Sequence, residues 1–146
     1  MTVTSAASPS IQRLPWGRVA LIALVATVGA AIINVVVYLL AGALGVDWSF
    51  VVPQMGMPIP VMAPVMASLI GVGLGMLVFA ALNAFMAQPV RWFTWVALVG
   101  GLISLGGPLT IPGAPLDVLA TLVIMHIVAV TFAVMTPRLL SVRQTR

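Results

Sequence analysis

Cysteine, lysine and glutamate are absent from this sequence, and histidine occurs once, at position 126. Without cysteine there is no disulfide, no thiolate metal site and no thiol nucleophile. Charge is scarce as well. Six arginines and two aspartates leave 5% of the chain charged, against about 25% in an ordinary globular chain. A water-soluble fold cannot cover its surface with so few charges, so the bilayer is expected to be the solvent for most of the chain. The net charge of +4 does not point to nucleic acid, because the arginines are scattered among apolar stretches and form no basic face.

What the sequence does contain is apolar residues, 62% of the total, gathered in long runs. Four membrane spans are expected, at about 19–44, 61–87, 92–109 and 117–136. The first follows Arg13 and Arg18, the flank that a secretory signal also shows. Its length of about 26 residues exceeds the 7–15 of a signal core, so it reads as a retained span. The third has the shortest clean apolar stretch. The fourth is expected to start at Asp117, a carboxylate N-cap at the positive end of the helix dipole, and to stop at Thr136-Pro137. Residues 1–15 read as a disordered cytoplasmic tail and 139–146 as a basic one. The last residues, RLLSVRQTR, would form either a short interfacial helix or a frayed end.

An even number of spans puts Arg13, Arg18, Arg91, Arg138, Arg143 and Arg146 on one side and Asp47 and Asp117 on the other. The positive-inside rule then makes both termini cytoplasmic. Trp16, Trp92 and Trp95 fall near the inner interface and Trp48 near the outer one, as an aromatic belt requires. The expected architecture is all-α: an integral, multi-pass, antiparallel four-helix bundle of the bacterial cytoplasmic (inner) membrane, occupying residues 16–138.

Lipid tails are as apolar as leucine, so spans associate through small residues and interhelical hydrogen bonds. Ala26 and Ala30 of span 1, Ala67, Gly71 and Gly75 of span 2, Gly100 of span 3, and Ala129 and Ala133 of span 4 are the expected helix-packing positions. Counting ~1.5 Å per residue from the cytoplasmic ends puts His126 at ~15 Å, Ser104 at ~18 Å and Asn34 at ~22 Å, one band around the bilayer centre. These three are expected to face the bundle interior as a central polar cluster, with Tyr38 above them. Asn83, at ~6 Å, is expected to be wet.

His126 has two readings. A neutral imidazole would fix helix register by hydrogen bonds to its neighbours, or, reached by water, it would line a proton path. A proton-coupled transporter normally needs a second titratable partner, and the spans contain no carboxylate. Catalysis is not expected: Ser104 with His126 lacks an orienting acid and a nucleophile elbow, and a lone histidine without HExxH cannot hold zinc. No cofactor is expected. Met55, Met57, Met62 and Met66 have soft thioethers at spacings that suit Cu(I), although methionine is also a common gap-filler. Pro53, Pro58 and Pro60 should keep helix out of the loop before span 2, Pro64 fits its first turn, and the loop would fold over the outer mouth of the bundle.

Asn34 and Tyr38 four residues apart in INVVVYLLAGALGVD, a proline-flanked entry to span 2, a glycine-rich end of span 3 containing Ser104, and LVIMHIVAV in span 4 resemble a bacterial family of small four-span proteins, domain of unknown function 6069. The likeness runs from about residue 16 to 138. It implies the four-span architecture and draws attention to Asn34, Ser104 and His126, and it implies no substrate. The expected role is a non-enzymatic membrane component, either an accessory subunit or a binder of a small lipophilic molecule, whose partners are the lipid bilayer and a second copy or another membrane protein. The alternative is a small oligomeric transporter or channel with His126 along its path.

Overall fold

A computed structural model describes residues 13–141. Of the expected tails at 1–15 and 139–146, residues 1–12 and 142–146 lie outside the described residues; Leu14 is buried and hydrogen-bonded to Asn83 rather than disordered, and residues 139–141 belong to the last helix. Four helices are long and apolar enough to cross a membrane. Helix α1 covers Trp16–Ala43, and a two-stranded hairpin of β1 (Val51–Val52) and β2 (Met57–Pro58) follows it. Then come α2 (Ala63–Phe85), α3 (Pro89–Ser104), a single turn α4 (Gly106–Leu109) and α5 (Leu116–Ser141).

Each boundary has a local cause. Helix α1 ends in a Schellman motif: Gly45 takes φ 102°, the Gly45 amide donates to the Gly42 carbonyl and the Val46 amide to the Ala41 carbonyl. A positive φ of this kind is what glycine tolerates and other residues do not. Pro64 and Pro89 occupy the first turns of α2 and α3, where a missing N–H costs nothing. The third span therefore begins at Pro89, earlier than residue 92. It runs 21 residues to Leu109, enough at ~1.5 Å per residue to cross about 30 Å. Pro108 cannot donate to the Ser104 carbonyl and its ring crowds that group, which accounts for the break between α3 and α4.

Two expected boundaries are corrected. Asp117 is not the N-cap of α5, because the helix already includes Leu116. The Asp117 carboxylate accepts from the Val118 amide at 2.9 Å within the first turn. Nor does α5 stop at Pro137. It continues to Ser141 with Pro137 fully buried inside it. One lost backbone bond is offset there by packing, since Leu140 lies against the core cluster that contains Leu14, Ile22 and Phe79. The separate interfacial helix considered for RLLSVRQTR is replaced, as far as Ser141, by this continuation.

Helix α1 packs along both α2 and α5, α3 packs on α5 and α2, and α2 meets α5 across the bundle. The short link from Phe85 to Pro89 makes α2 and α3 antiparallel neighbours. Outward-facing side chains are apolar: Leu24, Leu40, Leu77, Leu102 and Ile103 are all more than half exposed. A helix bundle in water would place polar groups there.

The interior holds two apolar clusters. One lies toward the chain ends and joins Val19, Ile22, Ala26, Ala30, Met76, Phe79 and Phe93, with the Phe79 and Phe93 rings edge to face at 5.2 Å. Leu14 is pinned to it by Asn83, whose Oδ1 accepts from the Leu14 amide at 2.9 Å and whose Nδ2 donates to the Leu14 carbonyl at 3.0 Å. Asn83 is 2% exposed, so the expectation that it is wet is wrong: the chain entering α1 covers it and uses both arms of its amide. The other cluster joins Tyr38, Val52, Ile59, Val118 and Met125 at the hairpin end. Trp48 stacks on Tyr38 at 4.3 Å and donates to the Tyr38 carbonyl. It lies so close to Gly42 that a Cβ there would come 3.2 Å from its indole nitrogen.

Candidate functional site

Between the two clusters lies a cavity of about 370 Å³. Helices α1, α2, α3 and α5 all contribute to its wall, which is apolar except for side chains of Asn34, Tyr38, Ser68, Ser104 and His126. The cavity owes its existence to side-chain size. Ala67, Gly71, Gly75, Gly100, Ala129 and Ala133, six of the eight expected helix-packing positions, border it.

That placement corrects part of the packing expectation. A Cβ built at Gly71 or Gly100 would meet nothing within 4 Å, and one at Gly75 only the tip of Phe93 at 3.9 Å. Ala67 is exposed. These residues leave space open and do not bring helices together. The close approaches are made by neighbours of the expected residues: a Cβ at Gly29 would come 2.5 Å from the Phe132 ring, and one at Gly101 would overlap Val130. Gly100 and Gly101 both border the cavity, but successive helical residues differ by about 100° in direction, so only Gly101 also meets α5, at Val130. Ala26 and Ala30 are fully buried in the apolar cluster, Ala133 is buried and Ala129 packs beside it.

The four residues of the expected polar cluster all border this one cavity, but no hydrogen bond links them to each other among the described residues. Asn34, 4% exposed, donates through Nδ2 to the Ser68 hydroxyl at 3.0 Å, and Ser68 donates to the Pro64 carbonyl at 2.7 Å. The Asn34 Oδ1 is buried and has no partner among the described residues. The Tyr38 hydroxyl donates to the Ile59 carbonyl at 2.8 Å, fastening the hairpin to α1. Ser104 donates to the Gly101 carbonyl of its own helix at 2.7 Å. His126 is half-buried, and its Nδ1 lies 2.8 Å from the Leu122 carbonyl, again on its own helix. A carbonyl can only accept, so Nδ1 carries the ring hydrogen and Nε2 of the neutral ring presents a lone pair. Sequence reasoning missed Ser68. The signal available was a hydroxyl one turn after Pro64, at a depth where a serine on α2 could meet Asn34.

The cavity has a side opening. Ala67, Gly71 and Val78 of α2 and Val96, Gly100 and Ser104 of α3 line it and are exposed, so it is open along the seam between these two helices. Tyr38 and Ile59 of the hairpin-end cluster and Phe93 of the other cluster also line it. The methionines considered for Cu(I) lie elsewhere: Met55 and Met57 flank the Gly56 turn of the hairpin, Met62 and Met66 are at the start of α2, and all four are exposed and outside the cavity wall. Among the described residues, no group of three His, Cys, Asp or Glu could hold a metal ion.

Four apolar helices of spanning length, bundled around a laterally open apolar cavity, make this a small multi-pass membrane protein of the all-α class. The chain belongs to the Family of unknown function (DUF6069), which it matches over residues 14–143. No curated protein and no solved structure matches it.

Proposed function

We propose that this protein is a non-enzymatic component of the cytoplasmic membrane that binds a small lipophilic molecule in the cavity between α2, α3 and α5, with both termini in the cytoplasm. The observation that carries this reading is the cavity itself: about 370 Å³, within the range of small-molecule sites, apolar, and open at mid-helix where a membrane would present acyl chains. The chemistry of its wall supports a binding role over catalysis. None of its side chains is acidic, and the ring nitrogen that a carboxylate would orient in a triad is taken by a backbone carbonyl. The alternative of a transporter or channel draws on His126 and Ser104 bordering the same space. A proton path would need an acidic partner for His126, and no acidic side chain lines the cavity, which favours a binder.

Fluorescence titration with N-phenyl-1-naphthylamine, on protein purified in mild detergent, tests the reading. Saturable binding is expected in the native protein and a loss of about tenfold or more in Gly71→Leu, whose side chain would project into the open space beside residue 71. Equal titrations for the two proteins would refute it. Orientation is tested by membrane-impermeant maleimide, since the chain has no cysteine of its own. Ser49→Cys should label in intact cells and Thr145→Cys only after lysis; the reverse pattern would overturn the topology.

A further inference from the structure

The polar atoms of the cavity wall are unevenly committed. Three hydroxyl hydrogens are spent on backbone carbonyls, those of Tyr38 on Ile59, Ser68 on Pro64 and Ser104 on Gly101. The ring hydrogen of His126 is spent at Nδ1 on Leu122. Asn34 gives an amide hydrogen to Ser68. That bond fixes which arm of the amide is which, because the Ser68 oxygen, already donating to Pro64, has only lone pairs left to offer. Among the described residues two polar atoms of the wall have no partner, Oδ1 of Asn34, buried and orphaned, and Nε2 of His126, an acceptor in the neutral ring that donates at Nδ1. Against these two acceptors stands one unspent donor, the second amide hydrogen of Asn34.

From this pattern we infer that the occupant is a neutral lipophilic molecule with a hydrogen-bond donor head, an alcohol or a phenol. The inference rests on the binding role proposed above and names the ligand class of the same site. A ketone or quinone head would find only the second amide hydrogen of Asn34 and would set its lone pairs against Oδ1 of Asn34 and Nε2 of His126, and an ionised carboxylate would do so with a full charge and no cation on the wall. A hydroxyl satisfies one acceptor and keeps an oxygen with no unmet hydrogen. Size is consistent with a ring system: a dry apolar cavity of about 150 Å³ takes up benzene, and this one, at about 370 Å³, has room for two fused rings.

Three bicyclic probes of similar size separate the possibilities: 2-naphthol, a donor; 2-methoxynaphthalene, its capped form; and 1,4-naphthoquinone, acceptors only. Each is titrated calorimetrically into the detergent-solubilised protein and referenced to Gly71→Leu, so that partition into micelles cancels. The expected order is 2-naphthol about tenfold tighter than 2-methoxynaphthalene, the ratio that one hydrogen bond supplies, with the quinone no tighter than the ether. In His126→Phe the advantage of naphthol over the ether should shrink. The native comparison stands even if that variant misfolds. Naphthol and ether binding equally, both lost in Gly71→Leu, would overturn the donor assignment and leave the binding role intact. The quinone binding tightest would overturn it likewise. No probe binding above the Gly71→Leu reference would overturn the binding role and the assignment together.

Discussion

Replacing Gly101 by alanine should destabilise the bundle, and the same replacement one residue earlier should not. A Cβ on residue 101 would overlap Cγ2 of Val130 and lie 3.2 Å from Cγ1 and 3.4 Å from Cβ of the same side chain. Valine in a helix has one strongly preferred rotamer, so it cannot swing aside, and α3 and α5 must move apart. At Gly100 the same atom would meet nothing within 4 Å. Both substitutions gain the helix propensity of alanine over glycine, about 0.5–1 kcal/mol, so that gain cancels in the comparison. What remains is the overpacking cost at 101, about 1–3 kcal/mol. Gly100→Ala should therefore unfold later than the native protein, with Gly101→Ala below Gly100→Ala by that margin. Equilibrium unfolding in dodecyl maltoside micelles with increasing SDS, followed by far-UV circular dichroism, reads the difference. Coincident transitions for the two variants would mean that α3 does not meet α5 at residue 101.

Three further outcomes follow from single contacts. Asn83→Ala removes two bonds to the Leu14 backbone and should cost about 2 kcal/mol; faster proteolysis just before Trp16 would register it, and an unchanged cleavage rate would count against the clamp. Tyr38→Phe leaves the Ile59 carbonyl without its donor, at about 1 kcal/mol, and amide exchange at Val52 and Met57 should quicken relative to α1. The third outcome concerns acid. Ser49, donating from its side chain and its backbone amide, holds the Asp47 carboxyl below its ordinary range. A carboxyl whose folded-state value is depressed contributes order above its unfolded value and loses it as pH falls through the lower, folded one. Protection of the Ser49 amide should hold through mild acid and vanish below the usual aspartate range, while Asp47→Asn should flatten that dependence.

The four spans were legible because hydropathy depends on composition alone: no run of this length without charge could stay in water. Helix ends were less so, since they turn on single residues whose effect depends on packing. Pro137 looks like a stop in one dimension, and only the seat of Leu140 on the Leu14 and Phe79 cluster explains why α5 runs through it. Depth counting put Asn34, Ser104 and His126 in one band, and the structure has them on one cavity. It could not say that Ser104 and His126 would bond to their own helices, because a backbone carbonyl one turn away is always available and leaves no mark in the sequence. The wall itself was misread for a related reason. Small residues every four positions fit a tight seam and an open groove equally well, and the choice depends on the facing helix. Asn83 shows the reverse: its depth was near the end of a span, but burial came from the incoming chain at Leu14.

An apolar cavity in a lipid environment raises a question of selectivity that one in water does not. A sealed void of this size in a water-soluble core would cost about 9 kcal/mol at roughly 24 cal/mol per Å³, as much as many domains have in total. The open seam between α2 and α3 removes that cost, because acyl chains can enter. A ligand of the proposed site would therefore compete with lipid, and exchanging one hydrocarbon for another gains almost nothing. Apolar fit sets what can enter, while preference must come from groups that lipid tails leave unsatisfied: Oδ1 of Asn34 and Nε2 of His126. Affinity along a series of alcohols of increasing chain length should thus rise little once partition into the micelle is subtracted, whereas capping the hydroxyl at fixed length should cost about tenfold. A steep rise with chain length and no penalty for the cap would show that hydrocarbon contact governs the site and that the two acceptors play no part in it.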